Sequence, residues 1–464
     1  MSYTHRILIL LVSTICVMGC KKLIQIPPNA PNQIVTSQVF ADSTDAVAAT
    51  VALYGNFSGG YGGFFSGGLT IYPGFSADEL VTSSTNPTYL QYYTDVVPVT
   101  DDQFWFIIYG SGGIYAMNAC IEGVTASTGL SGSLKNQLIG ENEVMRAFSY
   151  FNMVNLFGGV PLVTTTNYLV NDTLSRASTE AIYDQMITDL KDAQARLTST
   201  YPSSGRARPN YYTATALLAK VYLYDHQWQQ AADAASLVIN SGLYSLEPNL
   251  NNVFLDGSNE AIWQVPATTG FAANYQTSEG KLFVPIQHTI VPAFVISNFQ
   301  LQAFESGDQR AVDWLDSNLV NSVAYYYPYK YKNGYITSGT NTLEDYMVFR
   351  LAEQYLIRAE AEAEGATGNA VADLNIIRNR AGLANYSGPT DQTSLLNAIM
   401  HERQVELFCE WGSRWMDLKR TGTVQSVLAA EKQGPWLQDN HAALYPVPTR
   451  DIQTNPNLTQ NPGY

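Results

Sequence analysis

Residues 211–244 place Leu218, Ala219, Tyr222, Ala231, Ala235 and Val238 near the large and small positions of a 34-residue helix–turn–helix repeat. Ala219 and Ala231 let two antiparallel helices approach closely, with Asp225 to Gln227 as the turn. A weaker echo spans Tyr355 to Arg380, with Ala359, Ala361, Ala363, Ala370 and Ala372. Such units cannot bury their apolar faces alone, so they stack on further helices. Other helical periods run from Ser37 to Phe57, Trp105 to Val124, Leu134 to Phe157 and Thr179 to Leu197. Met145, Phe148, Phe151, Val154 and Leu156 make the third apolar nearly all round, which marks it as central. Gly158-Gly159 ends it, and Pro161 prevents continuation.

Two stretches have a different texture. From Tyr61 to Thr100 the chain is rich in Gly, Ser, Thr and Tyr and holds no sustained period. Glu260 to Val265 alternates like a strand, and Phe271 to Tyr335 is loop-rich, with Pro and many aromatics. The fold class expected is mostly α: a tetratricopeptide-like helical scaffold with loop-rich insertions at about 58–104 and 246–343 and a few short strands. No linker or composition break divides residues 37–464, so they are expected to form one domain.

The amino terminus sets the compartment. His5 and Arg6 precede an apolar run, Ile7 to Met18, too short for the roughly 20 apolar residues that span a bilayer. It reads as a secretory signal over residues 1–19, and Val17-Met18-Gly19-Cys20 resembles a lipoprotein box with Cys20 as the acylated first mature residue. Residues 20–36 then form the lipidated Cys and a polar tether. Removing the signal takes one Arg from the 25 basic residues, leaving 24 against 40 acidic ones, a balance of −16. That surface repels phosphate backbones, so nucleic acid is excluded as a partner. Cys120 and Cys409 remain; a single disulfide between them is left open by the sequence, but two widely spaced Cys make no disulfide framework or zinc pattern, and they read first as buried apolar residues.

Enzyme signatures fail one by one. His401-Glu402 begins a zinc-protease motif, but Val405 stands at the second His position. No G-x-S-x-G elbow, Walker loop or dinucleotide fingerprint occurs, and no cofactor or metal is implied. Asp78-Glu79 and Asp101-Asp102 read as solvated loop acids or hydrogen-bond acceptors for a ligand. Glycosidase chemistry would need two carboxyls facing each other at a set separation, which adjacency does not supply. Glu402, Glu406, Glu410 and Arg414 recur every four residues, a spacing that pairs Glu410 with Arg414 on one helix and ties the C-terminal helices to the repeats through buried ion pairs.

Glu141 to Phe148, Leu156-Phe157-Gly158-Gly159-Val160-Pro161, Asp308 with Arg310, Arg350 to Glu353, Asn375 to Leu383, the block from Glu402 to Arg420, Tyr445 to Pro448 and Gln460 to Tyr464 together resemble the SusD/RagB lipoproteins, in the expected order. The resemblance implies tetratricopeptide-like helix pairs backing a loop-rich ligand face. It also implies a non-enzymatic lipid-anchored protein of the outer-membrane surface that captures oligosaccharides for a TonB-dependent (SusC-like) transporter. RagB-like members bind peptides instead, and a lipoprotein glycosidase is the remaining alternative. The family holds its ligand residues in no fixed motif, so only their region transfers, namely the two insertions. Sugars need flat rings with hydrogen-bonding groups at their edge. Tyr61, Asp78, Asn86, Tyr89, Tyr92 and Tyr93 in the first insertion, and Phe271 and Tyr275 in the second, are therefore the expected contacts. Phe64 and Phe65 are expected to pack the loop itself.

Overall fold

The computed structural model describes residues 36–58, 65, 67–110, 112–267, 276–334 and 343–464. The signal, Cys20, most of the tether, Tyr61, Phe64, Phe271 and Tyr275 lie outside them.

The helices that build the body are α1 (Ser43–Ser58), α2 (Gly68–Ser76), α3 (Pro87–Tyr93), α4 (Ile114–Ala126), α5 (Gly132–Phe157), α6 (Thr179–Arg196), α7 (Tyr211–Tyr224), α8 (Trp228–Ile239), α9 (Leu351–Ala363), α10 (Ala370–Arg380), α11 (Gln392–Glu406), α12 (Ser413–Arg420) and α13 (Val424–Glu431). From α4 onward each helix packs on the next, and α9 packs on both α10 and α11. The stack continues from α8 to α9, so the long insertion leaves the scaffold and returns without interrupting it. Ala219, Ala231, Ala359 and Ala361 are fully buried, as close helix contact requires. Asn210 and Thr213 cap α7 reciprocally, satisfying otherwise orphaned backbone donors.

Helix α5 is the hub. From Leu138 to Phe157 only Asn155 escapes burial. Glu141 and Arg146 persist there as charges because each is paired, while burial lifts Glu143 to about 9. Arg208 donates to Glu141 at 2.6 and 2.9 Å, and Arg146 grips Asp189 at 2.7 and 2.8 Å while reaching Asn118 at 2.7 Å. Gly158, at φ 73°, takes the left-handed conformation that ends the helix.

Two expected helices are broken, each for a local reason. Asp42 accepts from the amides of Thr44 and Asp45 at 2.8 and 3.2 Å, so its carboxylate restarts the first helix as α1. The period from Trp105 to Val124 divides into a turn, Trp105–Tyr109, and α4. A Cβ at Gly113 would stand 2.0 Å from the Ile108 carbonyl oxygen, so only glycine fits the joint. The first insertion is also less irregular than its composition suggests, since it holds α2 and α3.

Among the described residues the strands form two-stranded antiparallel ladders: β1 (Leu80–Thr82) with β3 (Phe294–Ile296), β2 (Ala261–Pro266) with β6 (Asp345–Arg350), and β4 (Leu315–Val320) with β5 (Val323–Pro328). β2 is buried on both faces from Ala261 to Val265, and Trp263 donates to the Ala207 carbonyl at 3.0 Å.

A buried ionic cluster holds the base of the second insertion against the repeats. Glu406 of α11 accepts from Arg310 at 3.0 Å, Arg350 at 2.5 Å and Arg380. Arg350 also reaches Glu260 and Glu410, Arg310 reaches Asp308 and Glu402, and Lys330 reaches Glu410. Burial pushes the Glu406 carboxyl up, but Arg380, Arg350 and Arg310 outweigh it and hold it well below the usual carboxylate range. The expected Glu410–Arg414 pair does not form. The chain turns through Cys409, Trp411 and Gly412 at positive φ, separating α11 from α12, and Arg414 pairs with Asp78 instead. Cys120 and Cys409 are buried free thiols.

Candidate functional site: the face where the insertions join

The first insertion reaches the second through β1 and β3. Leu80 pairs with Ile296, Val81 with Val295 and Thr82 with Phe294. The Ser83 hydroxyl extends the ladder by donating to the Pro292 carbonyl at 2.7 Å. β5 lies against β3, and Asn318 of β4 fixes the exposed 286–290 loop by donating to the Gln287 and Ile290 carbonyls at 2.9 and 2.7 Å. Two regions distant in sequence thus present one continuous face.

Asn86 is exposed at the start of α3, where its side-chain oxygen accepts from the Thr88 amide at 2.9 Å and Pro87 opens the first turn. That cap uses the oxygen and leaves the side-chain NH₂ facing solvent. Tyr89 is half-buried. Its ring packs on Phe294 at 5.2 Å and Phe75 at 5.6 Å, so it crosses from one insertion to the other. Tyr93 is partly exposed, and the Lys432 ammonium sits 5.4 Å from its ring centroid.

Two expected contacts are taken up by the protein's own packing. Tyr92 is 1% exposed, packs tilted on Tyr72 at 4.6 Å and edge-on against Tyr445 at 5.1 Å, and donates its hydroxyl to Asp101 at 2.8 Å. Three residues after Tyr89 on a helix, it turns to the same inner side. Asp78 is 3% exposed, and both its oxygens accept from Arg414, at 2.8 and 2.6 Å. Asp78 and Glu79 are therefore structural, and Asp101 is taken up by Tyr92, whereas Asp102 is exposed as expected. Burial lifts neighbouring Glu79 to about 8, against the opposing pull of the Cys409 amide, which donates to it at 2.9 Å. Phe65 is core, stacked on Phe148 at 5.9 Å.

The sequence missed β3 and the 286–290 loop as partners of the Asn86–Tyr93 segment. Val-Pro-Ala-Phe-Val-Ile at 291–296 carries a strand signal too short to stand out among aromatics. Among the described residues no group of three His, Cys, Asp or Glu is placed to hold a metal ion, and no helix is long and apolar enough to cross a membrane. The face offers ring surface, amides and hydroxyls, which suits recognition of a polyhydroxylated ligand.

Two family models match the chain. One, described as the SusD family, covers residues 303–464, and the other, described as starch-binding associating with outer membrane, covers residues 73–223. The chain belongs to the SusD/RagB family. SusD-like protein P2 of Formosa agariphila is 29% identical over 379 residues, covering 71% of this chain and 74% of that one. A solved SusD superfamily protein from Bacteroides vulgatus superposes with a TM-score of 0.80 at 22% identity, over 92% of this chain and all of its own. A solved laminarin binding SusD-like protein does so with a TM-score of 0.77 at 25% identity, again over 92% and 100%. The mostly helical body described above is thus the SusD fold.

Proposed function

We propose that this chain captures oligosaccharides on the face where its insertions join and passes them to a TonB-dependent, SusC-like outer-membrane transporter. The observation that carries this reading is the β1–β3 ladder, beside which Tyr89, on the short helix that Asn86 caps and Tyr93 ends, packs on Phe294. Sugar rings offer C–H faces to aromatic side chains and hydroxyl rims to amides, and this face has both. A relative of the same fold is named for binding laminarin, which supports a glycan as the ligand class. Tyr61, Phe271 and Tyr275 belong to the same two insertions and are proposed as further contacts. The protein acts by binding and release, without catalysis.

Titration calorimetry against a panel of polysaccharides and peptides tests the proposal. Tyr93→Ala is expected to weaken glycan binding about fivefold, on the order of 1 kcal/mol for one aromatic contact, with an unchanged melting temperature. Binding to peptides alone, or turnover of an added oligosaccharide, would replace this reading.

Cys20 is proposed as the lipid anchor that holds the chain at the cell surface. Each buried CH₂ of an acyl chain adds about 0.8 kcal/mol of membrane affinity. Cys20→Ser is expected to abolish fatty-acid labelling and release the chain from outer-membrane fractions. Undiminished labelling would end the lipoprotein assignment.

A further inference from the structure

A cleft of about 480 Å³ opens on a different part of the molecule, between the Trp105–Tyr115 stretch, the segment that follows α5, and the C-terminal residues 451–458. None of the residues on the joined face lines it. Its floor is a fixed aromatic layer. Trp105 packs edge-on against Phe157 at 5.2 Å and lies 5.3 Å from Tyr109, whose hydroxyl donates to the Pro161 carbonyl at 2.8 Å. Two further tyrosines line the same cleft with their rings largely open. Tyr115 is 47% exposed and Tyr168 is 65% exposed. Neither packs against another aromatic ring or spends its hydroxyl on a described protein partner, unlike Tyr72, Tyr89 and Tyr92, which are tied into the core.

The polar rim is of one kind. Thr166, Asn171, Asp172, Asp451, Thr454 and Asn455 line the cleft, with no Lys or Arg among its lining residues. Asp172 and Asp451 form no ion pair among the described residues. Burial lifts the Asp451 carboxyl above its ordinary value, against the opposing pull of neighbouring Arg450. The Asn171 side-chain oxygen is buried and has no hydrogen-bond partner among the described residues, while its NH₂ donates to the Thr165 carbonyl at 2.8 Å.

The walls are held in place before any ligand arrives. Asn167 caps the Tyr168–Asn171 turn by accepting from the Leu169 amide at 3.1 Å. Asn455 and Asn457 pin the C-terminal wall to the Leu174 and Thr173 carbonyls at 2.8 and 2.9 Å. A prearranged site loses less conformational freedom on binding.

We infer that this cleft is a second carbohydrate-binding site, separate from the joined face, that takes a neutral sugar chain against Tyr115 and Tyr168. Open rings supply the stacking surface, and acceptor oxygens on Asp and Thr meet the hydroxyls. Two carboxyls in the walls, with no Lys or Arg lining the cleft itself, disfavour phosphorylated or acidic ligands. The inference rests on the glycan reading above and extends it. Two sites on one chain raise the effective concentration of a polymer at each, so long glycans are held more tightly than short ones.

The test is affinity electrophoresis of the whole chain through gels cast with laminarin, soluble starch, xylan or pectin. The variants are Tyr115→Ala/Tyr168→Ala, Tyr89→Ala/Tyr93→Ala and all four together. Both cleft tyrosines are exposed, so the first variant should keep the wild-type unfolding midpoint; Tyr168→Ala alone serves if it does not. Retardation by the neutral polymer that binds wild type is expected to weaken on the order of tenfold in the cleft variant, and to vanish in the fourfold variant. If the cleft variant and Tyr168→Ala both migrate as wild type wherever wild type is retarded, the second site is refuted and the joined face stands. If only the cleft variant loses retardation, the cleft stands and the joined face falls. A wild-type chain retarded by none of the four polymers, or by pectin alone, overturns the second site.

Discussion

Replacing Arg350 by Met is expected to destabilise the fold by about 3–5 kcal/mol, the usual cost of removing one partner from a buried charge network. Arg350 is 1% exposed at the junction of β6 and α9, and its guanidinium serves Glu260, Glu406 and Glu410 at once. Without it those carboxylates keep their burial but lose a counter-charge they share. Glu406→Ala should cost a similar amount for the opposite reason, leaving Arg310, Arg350 and Arg380 short of an acceptor. Removing the half-exposed Asp192–Arg196 pair on α6 should cost no more than about 1 kcal/mol, because water already solvates it. Urea unfolding of the three variants measures these differences. A loss below about 1 kcal/mol for both cluster variants would mean that the cluster does not hold the insertion to the repeats.

Stability is expected to peak near pH 5 and to fall by several kcal/mol by pH 7.5. Burial raises Glu79 to about 8 and Glu279 and Glu344 each to about 7. In the unfolded chain these carboxyls ionise near 4.3. Between those values the native state holds protons that the unfolded state has released. Stability therefore falls as pH rises through the window, by about 1.4 kcal/mol per pH unit for each group. His401 and Lys419, whose pKa values burial lowers, the latter to about 7, oppose the trend over part of the range, while Glu143, raised to about 9, Glu431, to about 8, and Asp345 and Glu362, each to about 7, add to it. Below the window the sign reverses, because Glu406 and Glu410 are held below the ordinary carboxylate value by their basic neighbours despite burial, and their stabilisation is lost on protonation. Urea midpoints at pH 5 and 7.5 measure the effect. Glu79→Gln, which keeps an acceptor for the Cys409 amide, should flatten the slope. A midpoint that rises from pH 5 to pH 7.5 would contradict the assignment of these carboxyls as protonated.

The scaffold could be read from the chain where one signal dominated. Leu134 to Phe157 is apolar nearly all round, and the alanines of 211–244 suit close helix pairing, so both became helices where expected. The block from Glu402 to Arg420 misled because charges four apart suit a helix whether or not it continues. Its break depends on left-handed backbone at Cys409, Trp411 and Gly412, which spacing does not reveal. The ligand face was harder. Asn, Thr and Gln around Tyr89, Tyr92 and Tyr93 suggested rings in solvent. In α3 the polar residues instead cap and flank a short helix whose three-residue step turns Tyr92 towards Tyr72 and Tyr445. Asp78 looked solvated because its partner, Arg414, is far along the chain. Long-range pairing of this kind, like the β1–β3 ladder, comes from the fold and not from neighbouring residues.

The central claim is that the joined face carries the glycan. Hydrogen–deuterium exchange of the full chain, with and without the polysaccharide it binds best, tests it most directly. The account predicts slowed exchange in residues 83–93 and 286–296. Binding that leaves both segments unprotected, with slowed exchange only on α7 to α10, would contradict it.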